Sequence, residues 1–237
     1  MFRKLYRFTY IDCSIPGVEV IHIELGIHNF DFLNELKLLS LDEKSRASKF
    51  VCPAAMRQFV TCRVFLRVLL ASKLNCKMAE INFELGPYGR PHATLRGEKV
   101  SVSFNVSHSG AHGVVALAQV GEVGVDIEEV RPQPDWLSIA TSAFAAEEVQ
   151  HLRCQEPSKQ IATFYRIWSL KEAVMKALGK GFYLNPRSFC LPPEVLYDSL
   201  HYEPIIFKFL DQSKPYNLQL TALPFRSNAC LALAVVL

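Results

Sequence analysis

The chain has 237 residues, 50% hydrophobic and 21% charged, which suits a folded globular protein and excludes a disordered one. Lysine and arginine number 26 against 23 aspartates and glutamates, a net charge of +3. That is too mild to imply nucleic-acid binding, but it suits an anionic partner such as a phosphate ligand or an acidic protein.

No stretch approaches the roughly 20 apolar residues that span a bilayer. The basic start, Met1 to Arg7, leads into no clean apolar run or small-residue cleavage site, so no signal peptide is read. Seven scattered cysteines without a Cys-x-x-Cys pair read as reduced thiols of a cytoplasmic protein, with no zinc site.

In chain order, residues 18–25 alternate loosely and predict a strand. Residues 31–50 predict a helical stretch with a capping box, Ser40-x-x-Glu43, inside it. Pro53 interrupts, and residues 55–74 predict a long helix. Gly86-Pro87-Tyr88-Gly89-Arg90-Pro91 is a loop by composition. Val102, Phe104 and Val106 alternate with polar residues, so residues 100–106 predict a half-buried strand. Ser107 to Gly113 reads as a loop, Val114 to Val120 as a strand, and Gly121 to Ile127 as a turn and strand. Pro132 and Pro134 mark a connection. Helices follow over 144–153 and 160–178, then strands over 204–210, 216–223 and 229–237.

The two halves echo each other. Ser40-Leu-Asp-Glu-Lys before Pro53 parallels Phe144-Ala-Ala-Glu-Glu before Pro157, an offset of about 104 residues. The expected fold is α+β, a tandem of similar halves over 1–120 and 121–237 with a ligand cleft between them.

Three segments carry chemistry. In Gly124-Val-Asp-Ile-Glu128 a strand puts Asp126 and Glu128 on one side, and two adjacent carboxylates call for a cation. Magnesium suits such hard oxygen ligands; a solvated strand end is the plainer alternative. In Ile167–Lys176 the residues Ile167, Leu170, Val174 and Ala177 share one helical face, with Glu172 and Lys176 opposite. Tyr165 and Trp168 on that second face suggest a cleft lining rather than a surface Glu-Lys pair. In Phe104-Asn-Val-Ser-His-Ser-Gly110, the donors Ser107 and His108 suit an anion, or simply a polar loop. Further basic residues are Arg46, Lys49, Arg57, Arg63, Arg90 and Lys180; Arg57 and Arg63 read as structural.

Together these segments resemble the Sfp-type 4'-phosphopantetheinyl transferases across residues 40–181. The resemblance is carried by Gly86-Pro-Tyr-Gly-Arg-Pro, Phe104-Asn-Val-Ser-His-Ser, Gly124-Val-Asp-Ile-Glu and Trp168-Ser-Leu-Lys-Glu-Ala-Val-Met-Lys-Ala-Leu-Gly-Lys-Gly. It implies two α+β halves in pseudo-twofold arrangement with coenzyme A between them. It also implies transfer of phosphopantetheine to a serine of an apo acyl or peptidyl carrier protein. Asp126, Glu128 and Glu172 would hold magnesium. Glu172 would serve as base, and Lys176 would bind the pyrophosphate. Ser107 and His108 would contact phosphates, Arg46 and Lys49 the 3'-phosphate, and Arg90 the adenine side. Arg90 departs from the lysine often found there. The competing readings are a metal-dependent phosphohydrolase and a non-catalytic coenzyme A or carrier-binding module. A monomer is expected, with no nucleic acid or membrane partner.

Overall fold

A computed structural model describes residues 6–25, 32–196, 203–211, 214–226 and 228–237. In the first half, β1 (Phe8–Ile11), β2 (Val18–Glu24), β6 (Ser103–Ser109) and β7 (His112–Ala118) form an antiparallel sheet ordered β1-β2-β7-β6. Three helices accompany it: α1 (Phe32–Leu38), α2 (Leu41–Ala47) and α3 (Pro53–Leu74). A small sheet of β3 (Ile81–Leu85), β4 (Pro91–Leu95) and β5 (Glu98–Lys99) lies beside them. In the second half, β8 (Val123–Glu129), β9 (Ile205–Asp211), β10 (Lys214–Leu223) and β11 (Ala229–Val236) form an antiparallel sheet ordered β8-β11-β10-β9. The helices α4 (Trp136–Ala143), α5 (Ala146–Arg153), α6 (Pro157–Ala177) and α7 (Pro193–Leu196) complete it.

Local chemistry sets these boundaries. The capping box expected at Ser40 is present, and it divides the helical stretch: Ser40 follows α1 and caps α2. Its hydroxyl accepts from the Glu43 N–H while the Glu43 carboxylate accepts from the Ser40 N–H. Pro53 and Pro157 lie in the first turns of α3 and α6, where a missing N–H costs nothing. Buried carboxylates then fix each short helix to its long neighbour. Glu43 accepts from Arg67 on α3 at 2.8 Å. Glu148, fully buried, accepts from Lys171 on α6 at 2.9 Å and from the Ala145 and Leu191 N–H groups.

Two contacts join the sheets. Val20, Val114 and Ala116 meet Val125, Ile127 and Leu233 in a shared apolar layer. Beside it, alternate polar residues of β6 replace a backbone ladder to β8. Val123 N–H donates to Ser103 Oγ and Val125 N–H to Asn105 Oδ1, each at 3.1 Å. Ser109 Oγ accepts from the Glu129 N–H at 3.1 Å. Ser107 to Gly113 is therefore not the expected loop. The strand runs through Ser107, His108 and Ser109 and turns only at Gly110, where φ is +55°.

At the far end of this layer His22 and His112 face each other, both buried, with Nε2 and Nδ1 3.1 Å apart and Phe225 packed edge-on against both rings. Burial, with His112 and Arg226 adding, pushes His22 down to about 4 against the opposing Glu24. Its native pKa is thus below the unfolded value near 6.5, so acid protonates the unfolded chain first. Stability is expected to fall by roughly 3 kcal/mol as pH drops from about 6.5 to about 4. Denaturant melts across that range check this, and a flat profile there would contradict a neutral buried His22.

Candidate active site

The sequence dictates one close approach. Any Cβ at Gly124 on β8 would lie 2.1 Å from the Ala173 carbonyl oxygen and 2.3 Å from the Ala177 nitrogen, so glycine alone lets α6 rest on the strand. The period of two then turns Ile127 into the apolar layer and leaves Asp126 and Glu128 on the other side. The helical period puts Glu172 and Lys176 one turn apart beside them. Ile167, Leu170, Val174 and Ala177 are buried.

Asp126 is 3% exposed. Its Oδ1 accepts from Lys176 Nζ at 2.6 Å and from Ser107 Oγ at 2.8 Å, and Lys176 also reaches Ser107 Oγ at 3.2 Å. Glu128 accepts from Ser109 Oγ at 2.7 Å. Burial pushes Glu172 up to about 7; Lys176 opposes that shift, and the charges of Asp126 and Glu128 reinforce it. Glu128 is raised by burial and by Asp126. Burial would lower Lys176, but its charge contact and hydrogen bond with Asp126, helped by Glu172 and Glu128, raise it. His108 is lowered by burial and by Lys176, so its imidazole is neutral near pH 7.

Three carboxylates therefore influence one another with one ammonium between them. Among the described residues no three such side chains close around a point that would hold a metal ion as they stand; Lys176 takes the Asp126 oxygen instead. Asp126 Oδ2, however, is buried with no hydrogen-bond partner. An unpartnered carboxylate oxygen beside two carboxyls raised by burial and by their neighbours' charge suits a hard divalent cation.

A cleft of about 180 Å³ continues from His108 and Asn105 to Arg46, Arg63 and the Gly89–Pro91 turn. Larger hollows of about 430 and 470 Å³ lie around Arg166 and around Trp136. They hold none of these groups, so chemistry rather than size locates the site.

Other expected residues fall elsewhere. Lys49 is exposed and does not line the cleft. The Arg90 guanidinium is turned into the protein. It donates to the Lys176, Ala177 and Val123 carbonyls and to Ser103 Oγ, and pairs with Glu122 at 2.9 Å. It clamps the Gly-Pro loop to the end of α6, in the loop where the resemblance implies an adenine-side role. Lys180 pairs with Asp211. Trp168 does sit beside Glu172, in a recess with Met175 and Phe182, but Tyr165 is buried in the core of the second half. Sequence reasoning missed Ser103 and gave Asn105 and Ser109, inside the Phe104–Gly110 segment, no individual role. Their signal is the alternation Ser103-x-Asn105-x-Ser107-x-Ser109, opposite Phe104 and Val106. Arg63, read as structural, lies on the cleft wall.

Two family profiles match the chain. The 4'-phosphopantetheinyl transferase superfamily matches residues 122–233, and the N-terminal region of 4'-phosphopantetheinyl transferases matches residues 28–120. A Synechocystis sp. protein provisionally named a 4'-phosphopantetheinyl transferase is 42% identical over 144 residues, 61% of this chain and 58% of its own. The 4'-phosphopantetheinyl transferase HetI of Nostoc sp. is 33% identical over 143 residues, 60% of each chain. The transferase psf-1 of Bacillus pumilus is 34% identical over 158 residues, 66% of this chain and 65% of its own. The chain thus spans about three fifths of the length of these relatives.

Proposed function

The chain belongs to the 4'-phosphopantetheinyl transferase superfamily, and from that premise we propose that it moves the 4'-phosphopantetheine group of coenzyme A onto a serine of an apo acyl or peptidyl carrier protein, releasing 3',5'-ADP. The observation that carries this reading is the convergence of Asp126, Glu128, Glu172 and Lys176 around Ser107, next in the chain to His108, which lines a cleft that runs on to Arg46 and Arg63. Such a gradient suits a ligand with a diphosphate at one end and a phosphate monoester at the other.

Each side chain then has a part. Glu172, a carboxyl shielded from water beside the apolar Trp168 recess, accepts the proton of the carrier serine, which is a poor nucleophile until deprotonated. Lys176 offers its ammonium to the diphosphate oxygens as charge gathers on the departing 3',5'-ADP. Ser107 holds Asp126 in place, and the neutral His108 offers a ring N–H to phosphate oxygen. Asp126, Glu128 and Glu172 would hold magnesium, which when bound neutralises the diphosphate. One chain supplies every one of these groups, which supports a monomer. Cys13, Cys52, Cys62, Cys76, Cys154 and Cys190 are free thiols, which supports a cytoplasmic setting. No described helix is long and apolar enough to cross a membrane.

The test is to mix the protein with coenzyme A, magnesium and a panel of apo carrier proteins and read intact masses. Addition of one phosphopantetheine group to a carrier is the expected result. A panel left unmodified, with coenzyme A consumed or untouched, would remove the reading. Turnover is also expected to cease with a chelator and return with added magnesium; undiminished turnover in chelator would rule out the metal.

A further inference from the structure

Arg90 follows the exposed turn Pro87–Gly89, yet its guanidinium is turned away from water, and its side chain is only 15% exposed. Nη1 donates to the carbonyls of Lys176 and Ala177, the last two residues of α6, at 2.7 and 2.5 Å. Nη2 donates to the Val123 carbonyl at 2.8 Å and to Ser103 Oγ at 3.0 Å, and it faces Glu122 at 2.9 Å. The hydrogens of both terminal nitrogens are thereby committed inside the protein. The arginine stem runs over Gly179, where φ is +67° and a Cβ would come within 3.0 Å of Arg90 Cδ.

The elements joined here are the ones that carry the site. Lys176 lies in the last turn of α6. Val123 opens β8, three residues before Asp126, and Ser103 opens β6, four residues before Ser107. The side chains of Lys176 and Ser107 meet on Asp126 Oδ1, at 2.6 and 2.8 Å. One guanidinium thus ties together, through three carbonyls and one hydroxyl, the same three elements whose side chains converge at the site. The chemistry of the clamp calls for arginine. The last carbonyls of a helix lack partners within it, and their partial negative charge draws a cation. A lysine ammonium is a compact point charge and does not span a helix end and a strand as a planar fork does.

We propose that Arg90 is a positioning residue for the transfer step: it fixes the end of α6 against β8 and β6, so holding Lys176 on Asp126, and it makes no contact with the nucleotide. The proposal rests on the transfer reading, in which Lys176 meets the diphosphate.

Kinetics with coenzyme A and an apo carrier separate the two roles. Arg90→Lys keeps the charge and Arg90→Gln removes it. Loss of a nucleotide contact would raise KM for coenzyme A and weaken binding of 3',5'-ADP while leaving kcat in place. Loss of the clamp does the reverse. In both variants kcat is expected to fall roughly ten- to a hundredfold, the cost of misplacing a group by about 1 Å, with KM and 3',5'-ADP affinity within about twofold of wild type. A wild-type kcat in Arg90→Lys would overturn the proposal. So would a loss of 3',5'-ADP affinity as large as the loss of kcat. Should Arg90→Gln melt early, Arg90→Lys decides, and its calorimetric titration with 3',5'-ADP shows that the cleft is folded. Amide hydrogen exchange across residues 174–180 reads the clamp without turnover. It is expected to quicken in both variants, and unchanged exchange there removes the clamp whatever the rates. A wild-type protein that modifies no carrier would remove the transfer reading, while quickened exchange would leave the clamp standing, so the two failures are told apart.

Discussion

Glu172→Gln and Lys176→Met are each expected to reduce carrier modification by about a thousandfold, the upper range for losing a positioned base or a charge stabiliser. Glutamine keeps the size and most of the packing of Glu172 but accepts no proton. Methionine keeps the stem of Lys176 and removes the ammonium that donates to Asp126 at 2.6 Å. The two losses should not multiply in the double variant, since both act on one transfer step. Far-UV circular dichroism and melting curves should show α6 intact in Glu172→Gln, because the carboxyl it replaces is already raised to about 7, close to the neutral form that glutamine imitates. Lys176→Met is the sterner case. It leaves Asp126 with Ser107 as its hydrogen-bond partner and takes the ammonium from among three carboxyls, so some destabilisation should accompany the loss of turnover. Rates in either variant within tenfold of wild type would take that residue out of the chemistry.

Much of this site was legible in the sequence because two periodicities cross it. Asp126 and Glu128 are two apart on a strand, and Glu172 and Lys176 are four apart on a helix. Those spacings fix which side each residue takes whatever surrounds it. What was not legible depends on partners distant along the chain. Ser107 and Ser109 read as loop because hydroxyls before a glycine usually face water. In the structure they face β8, donating to Asp126 and Glu128, while Ser109 Oγ also accepts from the Glu129 N–H. Arg63 and Arg90 differ in role for the same reason. Position on a helix or in a Gly-Pro loop says nothing about which carbonyls or carboxylates will meet a guanidinium. β3 and β4 escaped because Asn82, Glu84 and Pro91 disfavour strands, and pairing with each other overrides that preference. α1 and α2 read as one helix because no proline or glycine lies between 38 and 41; the Ser40 cap alone separates them.

Gly124→Ala is expected to lower stability by about 4 kcal/mol or more, a melting drop on the order of 10 °C for a chain of this size. The added methyl would lie 2.1 Å from the Ala173 oxygen, 2.3 Å from the Ala177 nitrogen and 2.9 Å from the Ala177 Cα. Those are backbone atoms of a 21-residue helix. They cannot swing aside as a side chain can, so α6 must lift from β8 as a unit or the strand must bend. Either movement carries Glu172 and Lys176 away from Asp126 and Ser107, and a shift near 1 Å already costs about a hundredfold in a reaction that works by positioning. Activity should therefore fall with stability, and should not recover at temperatures where the variant is still folded. Gly86→Ala is the matched control, since its Cβ would make only ordinary contact, 3.5 Å from the Arg90 oxygen, and is expected to leave melting within about 0.5 kcal/mol of wild type. If Gly124→Ala melted and turned over like wild type, α6 would not rest on β8 at that point. The distances that bring four charged side chains together would then lose their foundation.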